Sequence, residues 1–160
     1  MLMKLLVMSD SHYRKNTMSD IIAEHRDADA FIFLGDGIGD FEDALAENGL
    51  EYSDMSKEII AVLGNCDSFL RSGGHLVRTI GGINFYITHG AAENVKMGYW
   101  SLIEEAKRFD CPVALFGHTH VQCCIDKNGV KLFNPGAVVR GEYGIIEIKN
   151  GELKFSERKI

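Results

Sequence analysis

Apolar residues along this chain come in short runs, and most of the runs stop abruptly at a glycine paired with a polar residue. Residues 3–9, 30–34, 58–63 and 112–116 are near-continuous apolar stretches of strand length, as strands buried on both faces require. Between the first three runs the spacing turns helical. Met18, Ile21, Ile22 and His25 share a face over 17–26, and a second helix is predicted near 40–48, ended by Asn48-Gly49. The second half reads as mostly β. Gly81-Gly82 separates 75–80 from 83–88, Asn128-Gly129 separates 121–126 from 130–133, and Asn150-Gly151 separates 143–148 from 152–156. Each two-residue signal predicts a hairpin. One further helix is predicted over 94–109, with Val95, Tyr99, Leu102, Ile103 and Ala106 at helical spacing and Tyr99 and Trp100 in its packing. A βαβαβ half followed by strands around a single helix fits two sheets packed face to face, with helices outside.

Nothing in the pattern divides the chain. No linker, repeat or low-complexity stretch appears, so one domain is expected over residues 1–160. No apolar run approaches the roughly 18–20 residues that span a bilayer. The apolar start, Met1–Met8, reads as a first strand and not as a signal peptide, which leads to a cytoplasmic expectation with no membrane association. The four cysteines form no CxxC pair, and reduced thiols are expected. Cys123 and Cys124 fall on opposite faces of a strand, which gives at least one of them a packing role.

Charge narrows the partners. Seventeen basic and twenty-three acidic residues give a net charge of −6, which disfavours nonspecific binding to nucleic acid. A small anionic substrate stays compatible if bound metal reverses the local sign.

The chemistry lies where the runs stop. In order come Asp10-Ser11-His12, Gly35-Asp36, Gly64-Asn65, Thr88-His89-Gly90 and Gly117-His118-Thr119-His120. Four of the chain's six histidines fall in this set. An extended backbone would put Asp10 and His12 on one side, and likewise His118 and His120. Taken singly, a polar residue at a strand end is usually a cap or turn residue. Taken together, seven ligands at the carboxyl ends of strands stand where α/β sheets build sites. Imidazole with carboxylate and amide oxygen suits manganese, zinc, iron, nickel or cobalt, whereas a calcium or magnesium cage would be all oxygen. Outside the set, Asp40 is read as a helix cap with Asp43 three residues on. His25 and His75 are read as surface residues and Phe31 and Phe33 as core. Asp67 stays open between orienting a ligand and forming a turn. Residues 90–98 are read as a mobile flap, and the loops 66–75 and 90–99 as the seat of specificity.

The order DxH, GD, GN, HG, GHxH resembles the signature of calcineurin-like metallophosphoesterases, and Gly64-Asn65-Cys66-Asp67 resembles their small microbial phosphodiesterases. The resemblance runs from Asp10 to Gly136. It implies a four-layer αββα sandwich of two mixed β-sheets flanked by helices. It implies two divalent metal ions per chain, manganese first, with nickel, zinc, iron or cobalt compatible. Asp10, His12, Asp36 and His120 would hold one; Asp36, Asn65, His89 and His118 would hold the other, with Asp36 bridging. Asp36, Asn65 and His89 are the implied catalytic residues. A metal pair about 3.5–4 Å apart orients and acidifies a bridging water for in-line attack on phosphorus. The implied activity is that of a phosphoric diester hydrolase on a small phosphate-ester substrate. Cys66 stands where many relatives carry histidine, Ala91 follows Gly90 where many small relatives have a second histidine, and Ala137 stands where serine often follows Asn134-Pro135-Gly136. Cys66 and Arg140 are the candidate substrate-binding residues. A protein-binding scaffold resembling a retromer subunit is the alternative on this fold. A nuclease for DNA ends is disfavoured by the net charge. A homo-oligomer is compatible with the sequence.

Overall fold

The structure is a computed structural model that describes residues 1–67 and 74–160. Strands β1 (Leu2–Met8), β2 (Ala30–Phe33) and β3 (Glu58–Ala61) run parallel, with β9 (Glu142–Lys149) and β10 (Glu152–Lys159) completing one sheet in the order β10-β9-β1-β2-β3. The second sheet has the order β4-β5-β6-β8-β7, from β4 (Leu76–Ile80), β5 (Ile83–Ile87), β6 (Val113–Leu115), β7 (Cys123–Lys127) and β8 (Val130–Asn134). Here β5, β6 and β8 are parallel, while β4 and β7 join as antiparallel rims. Both sheets are therefore mixed, and all three predicted hairpins are present.

Strand alternation explains why the runs are apolar throughout. Leu5 and Val7 face inward to a core that also holds Ile32, Phe85, Ile87, Leu115 and Phe133 from both sheets. Leu6 and Met8 face the opposite way, onto α1 (Lys15–Glu24) and α2 (Ile38–Glu47), where they join Met18, Ile21, Phe41 and Leu45. A third cluster places Leu102, Ile103 and Ala106 of α3 (Trp100–Arg108) against Tyr86, Ala114 and Leu132. Helices, sheet, sheet and helix make four layers.

α3 begins six residues later than its spacing predicts. Asn94 and Gly98 take φ of 54° and 142°, and residues 91–97 close tight turns such as Val95 N–H to the Gly90 carbonyl. Val95 is buried, so its apolar signal comes from a turn that inserts one side chain. Trp100 is 70% exposed and does not pack, whereas the Tyr99 ring meets Phe116 at 5.3 Å. A 3-10 turn at Val138–Arg140, absent from the predicted elements, leads into β9. Cys123 packs in the third cluster and Cys124 is exposed, and all four cysteines are free. Phe31 and Phe33 are fully buried. His25 is half-buried, its Nε2 bonded to Tyr143 Oη at 3.0 Å, which corrects the surface reading; His75 is exposed. Among the described residues no helix is long and apolar enough to cross a membrane.

Candidate metal centre

The parallel strands of both sheets deliver their carboxyl ends to one rim, and the loops that follow carry all seven candidate ligands. Two groups form there. Asp10, His12 and His120 bring their donor atoms within 4.8 Å of one another, and Asp36, His89 and His118 do the same. The backbone that presents them is not extended. Asp10, His12, Asp36, His118 and His120 have φ of 54°, 42°, 62°, 68° and 60°, all in the left-handed region that costs a non-glycine residue about 1–2 kcal/mol. Left-handed turns, and not strand alternation, converge the side chains. Such conformations concentrate at functional sites.

Each carboxylate has one oxygen tied and one turned into the group. Asp10 Oδ2 accepts from Ser9 Oγ and from the His118 N–H at 3.1 Å. Asp10 Oδ1 is buried with no hydrogen-bond partner and lies 3.0 Å from His120 Nε2 and 3.6 Å from His12 Nε2. Asp36 Oδ1 accepts the Cys66 N–H at 2.8 Å. Asp36 Oδ2 lies 3.3 Å from His89 Nε2 and 4.0 Å from His12 Nε2, so it faces both groups. Asn65 Oδ1 is 3.0 Å from His89 Nε2. His89 Nδ1 stands 2.7 Å from the Leu34 carbonyl. A carbonyl only accepts, so Nδ1 carries the proton and Nε2 is the atom free to ligate.

These residues fit a cation. An orphaned buried carboxylate oxygen is costly unless a charge partner compensates it. Two ligands each about 2.1 Å from one ion stand roughly 3.0–3.4 Å apart, close to the observed spacings. The titration behaviour of the metal-free site follows the same geometry. Burial would raise the Asp36 carboxyl, but the His89 imidazole and the Cys66 N–H outweigh it and hold Asp36 well below the usual range. Burial lowers His89, and the Asp36 contact with the Asp10 charge more than reverses it, so His89 is raised. His118 is lowered, first by burial and then by the neighbouring His89 charge.

The surrounding residues hold the loops. Asp40, read as a helix cap, instead accepts from Ser11 Oγ and from the Tyr13 N–H, because α2 begins at Ile38 and Asp40 already lies in its first turn. Asn134 is fully buried and donates to the Gly117 carbonyl and to Thr119 Oγ1, both at 3.0 Å, which anchors the His118–His120 turn. Glu93 is buried and accepts from Tyr86 Oη and Thr88 Oγ1, each at 2.9 Å. That contact pins residues 90–98, read as a mobile flap, to the strand that presents His89. Ser9, Ser11 and Glu93 carry no signal in the sequence: Ser9 bonds its neighbour Asp10, Ser11 the distant Asp40, and Glu93 two ordinary hydroxyls. Cys66 is exposed at the rim; partial desolvation, then the Asp36 charge, push its thiol above the ordinary value. Arg140 is exposed and its Nη1 donates to the His120 carbonyl at 3.4 Å. A cavity of about 460 Å³ opens beside the groups, lined by His12, Tyr13, Asp36, Asp40, Asp43 and Cys66 among others. Of the loop 66–75, read as a source of specificity, residues 68–73 lie outside the described residues.

Two mixed sheets thus gather two carboxylate–imidazole groups of metal-ligand type at one rim. Residues 3–151 match the family model of the calcineurin-like phosphoesterase superfamily domain, and the chain belongs to that superfamily. It is 28% identical over 141 residues to the probable metallophosphoesterase MG207 of Mycoplasma genitalium, covering 86% of this chain and 78% of that protein. Among solved structures, an archaeal phosphodiesterase superposes with a TM-score of 0.73 at 23% identity, covering 99% of this chain and all of the other. Vacuolar protein sorting 29 of Cryptosporidium parvum superposes with a TM-score of 0.71 at 17% identity, covering 99% and 98%. At these identities the two structures establish likeness of fold alone.

Proposed function

We propose that the protein is a phosphodiesterase that works with two divalent metal ions, manganese first among them. The observation that carries this reading is the pattern of committed and free donor atoms. Asp10 Oδ1, Asp36 Oδ2 and His89 Nε2 turn into the site while their companion atoms are held by the protein, and Asn65 Oδ1 lies 3.0 Å from His89 Nε2. Asp10, His12, Asp36 and His120 would hold one ion, and Asp36, Asn65, His89 and His118 the other. Bound metal supplies Lewis acidity toward a phosphoryl oxygen and a nucleophile at neutral pH.

The chain's own residues do the rest. Ser9 and the His118 N–H orient Asp10, the Cys66 N–H orients Asp36, and the Leu34 carbonyl fixes the ring of His89. Such pre-set ligands need no rearrangement when charge develops on the phosphate. The 460 Å³ cavity beside the groups leaves room for an organic substituent of a phosphate ester. Its described lining residues include Asp36, Asp40, Asp43 and Asp67, and with the net charge of −6 these carboxylates disfavour a polyanion such as nucleic acid. Arg140, whose Nη1 donates to the His120 carbonyl, would meet a phosphate oxygen. With Cys66 where many relatives carry histidine, the leaving group has no imidazole donor at that position, so good leaving groups are favoured.

The test compares bis-p-nitrophenyl phosphate with p-nitrophenyl phosphate on metal-stripped protein reloaded with Mn²⁺, Ni²⁺ or Zn²⁺. Faster turnover of the diester, lost in Asp36→Asn, is expected. Likeness to vacuolar protein sorting 29 keeps a scaffold as the second reading, and an inert loaded site with a stoichiometric protein partner would establish it instead.

A further inference from the structure

The turn that carries Asp36 is an anion cradle whose anion is a side chain. Gly35, Asp36 and Gly37 take successive φ of 101°, 62° and 137°. Such a run gathers neighbouring N–H groups into one concavity, here at the N-terminus of α2, where Gly37 supplies no side-chain cap. Asp67 fills it from the next loop. Its Oδ1 accepts from the Gly37 N–H at 2.8 Å and the Ile38 N–H at 3.0 Å. Its Oδ2 accepts from the Asp36 N–H at 2.7 Å and the Gly64 N–H at 2.8 Å. Asp36 returns a bond of the same kind, its Oδ1 taking the Cys66 N–H at 2.8 Å.

The two carboxylates thus clasp each other's turns, at the ends of β2 and β3. A helix cap needs only the bonds to Gly37 and Ile38. The bond to Gly64 ties in the separate turn that presents Asn65, and the bond to Asp36 holds the backbone of the residue that faces both groups. We infer that Asp67 is a positioning residue that sets the relative placement of Asp36 and Asn65 and thereby the metal affinity of the site. This inference rests on the proposal that those residues hold metal.

The test is calorimetric titration of Mn²⁺ into the metal-stripped wild type, Asp67→Asn and Asn48→Ala. Asparagine keeps the size of Asp67 but turns an amide NH₂ toward N–H donors, so at least two of the four bonds are lost. Asn48 holds the far end of α2 through the Ser19 and Ala44 carbonyls and serves as a destabilised control remote from the site. Mn²⁺ affinity is expected to fall about 10–100-fold in Asp67→Asn and to stay within twofold in Asn48→Ala. In Asp67→Gly, added formate should refill the cradle and restore much of the affinity. Wild-type affinity in Asp67→Asn, or an unrescued Asp67→Gly, overturns the inference and leaves a cap. A wild type that binds no Mn²⁺ overturns the proposed function, and the inference with it.

Discussion

Asp10→Asn should stabilise the metal-free protein while destroying its response to metal. Asp10 Oδ1 is buried, has no hydrogen-bond partner, and stands 3.0 Å from His120 Nε2 and 3.6 Å from His12 Nε2. In the asparagine variant the oxygen keeps the bonds from Ser9 Oγ and the His118 N–H, because that N–H cannot accept from an NH₂. The amide nitrogen then takes the Oδ1 position and donates to an imidazole nitrogen. Relief of one unsatisfied buried acceptor is worth about 1–3 kcal/mol, or roughly 2–12 °C in melting temperature for a chain of this size. Metal favours the wild type. At free Mn²⁺ a hundredfold above the wild-type Kd, binding adds about 2.7 kcal/mol to the wild type, and a variant that binds about a hundredfold more weakly gains only about 0.4 kcal/mol. Thermal unfolding followed by circular dichroism at pH 8, with chelator and then with Mn²⁺, reads both arms. Asp10→Asn should melt higher in chelator and should gain about 2.3 kcal/mol less from Mn²⁺ than the wild type does. A variant that is destabilised without metal and keeps the full Mn²⁺ shift would refute the reasoning, because Oδ1 would then be neither strained nor a ligand.

Three further outcomes are expected. Glu93→Ala leaves the buried hydroxyls of Tyr86 and Thr88 without their acceptor and should lower stability by about 2–4 kcal/mol in urea unfolding; a loss within error would mean that water replaces the carboxylate. Burial, then the Lys4 charge, lower His25 below its ordinary 6.5, so its folded form favours the neutral ring. That contribution is complete above about 6.5 and is lost as pH falls below it, so His25→Gln should flatten the metal-free stability profile between pH 7 and 5, and an unchanged profile would count against the assignment. Arg140→Ala should raise KM for a diester about tenfold with metal affinity unchanged, as steady-state kinetics and calorimetry together would show; an unchanged KM removes Arg140 from the substrate site.

The layers, and the gathering of the candidate residues at one rim, were legible because each is a local signal. An apolar run followed by a glycine and a polar residue marks a strand and its exit, and Gly81-Gly82, Asn128-Gly129 and Asn150-Gly151 set three hairpins by turn chemistry alone. Features that depend on distant partners were not legible. Asp67 lies about thirty positions from Asp36–Ile38, whose N–H groups it holds, and nothing local separates that role from an ordinary turn. Asp40 has the residue type of a cap, yet it lies inside the first turn of α2 and its carboxylate turns to Ser11 and Tyr13. Val95 mimics a helical position because a single buried residue in a turn satisfies the same spacing. The convergence of Asp10 with His12, and of His118 with His120, was expected from strand alternation and arises from left-handed turns. Aspartate and histidine tolerate that region better than most residues, but the pattern of polarity does not encode it.

The most direct test of the central claim is diester turnover measured against metal equivalents. Metal-stripped protein is titrated with Mn²⁺ while hydrolysis of bis-p-nitrophenyl phosphate is followed, with Asp36→Asn in parallel. Turnover that is absent without metal, rises to a plateau at two equivalents per chain and is lost in the variant is the predicted result. Turnover by stripped protein, a plateau at one equivalent, or an inert protein at two would contradict a two-metal phosphodiesterase.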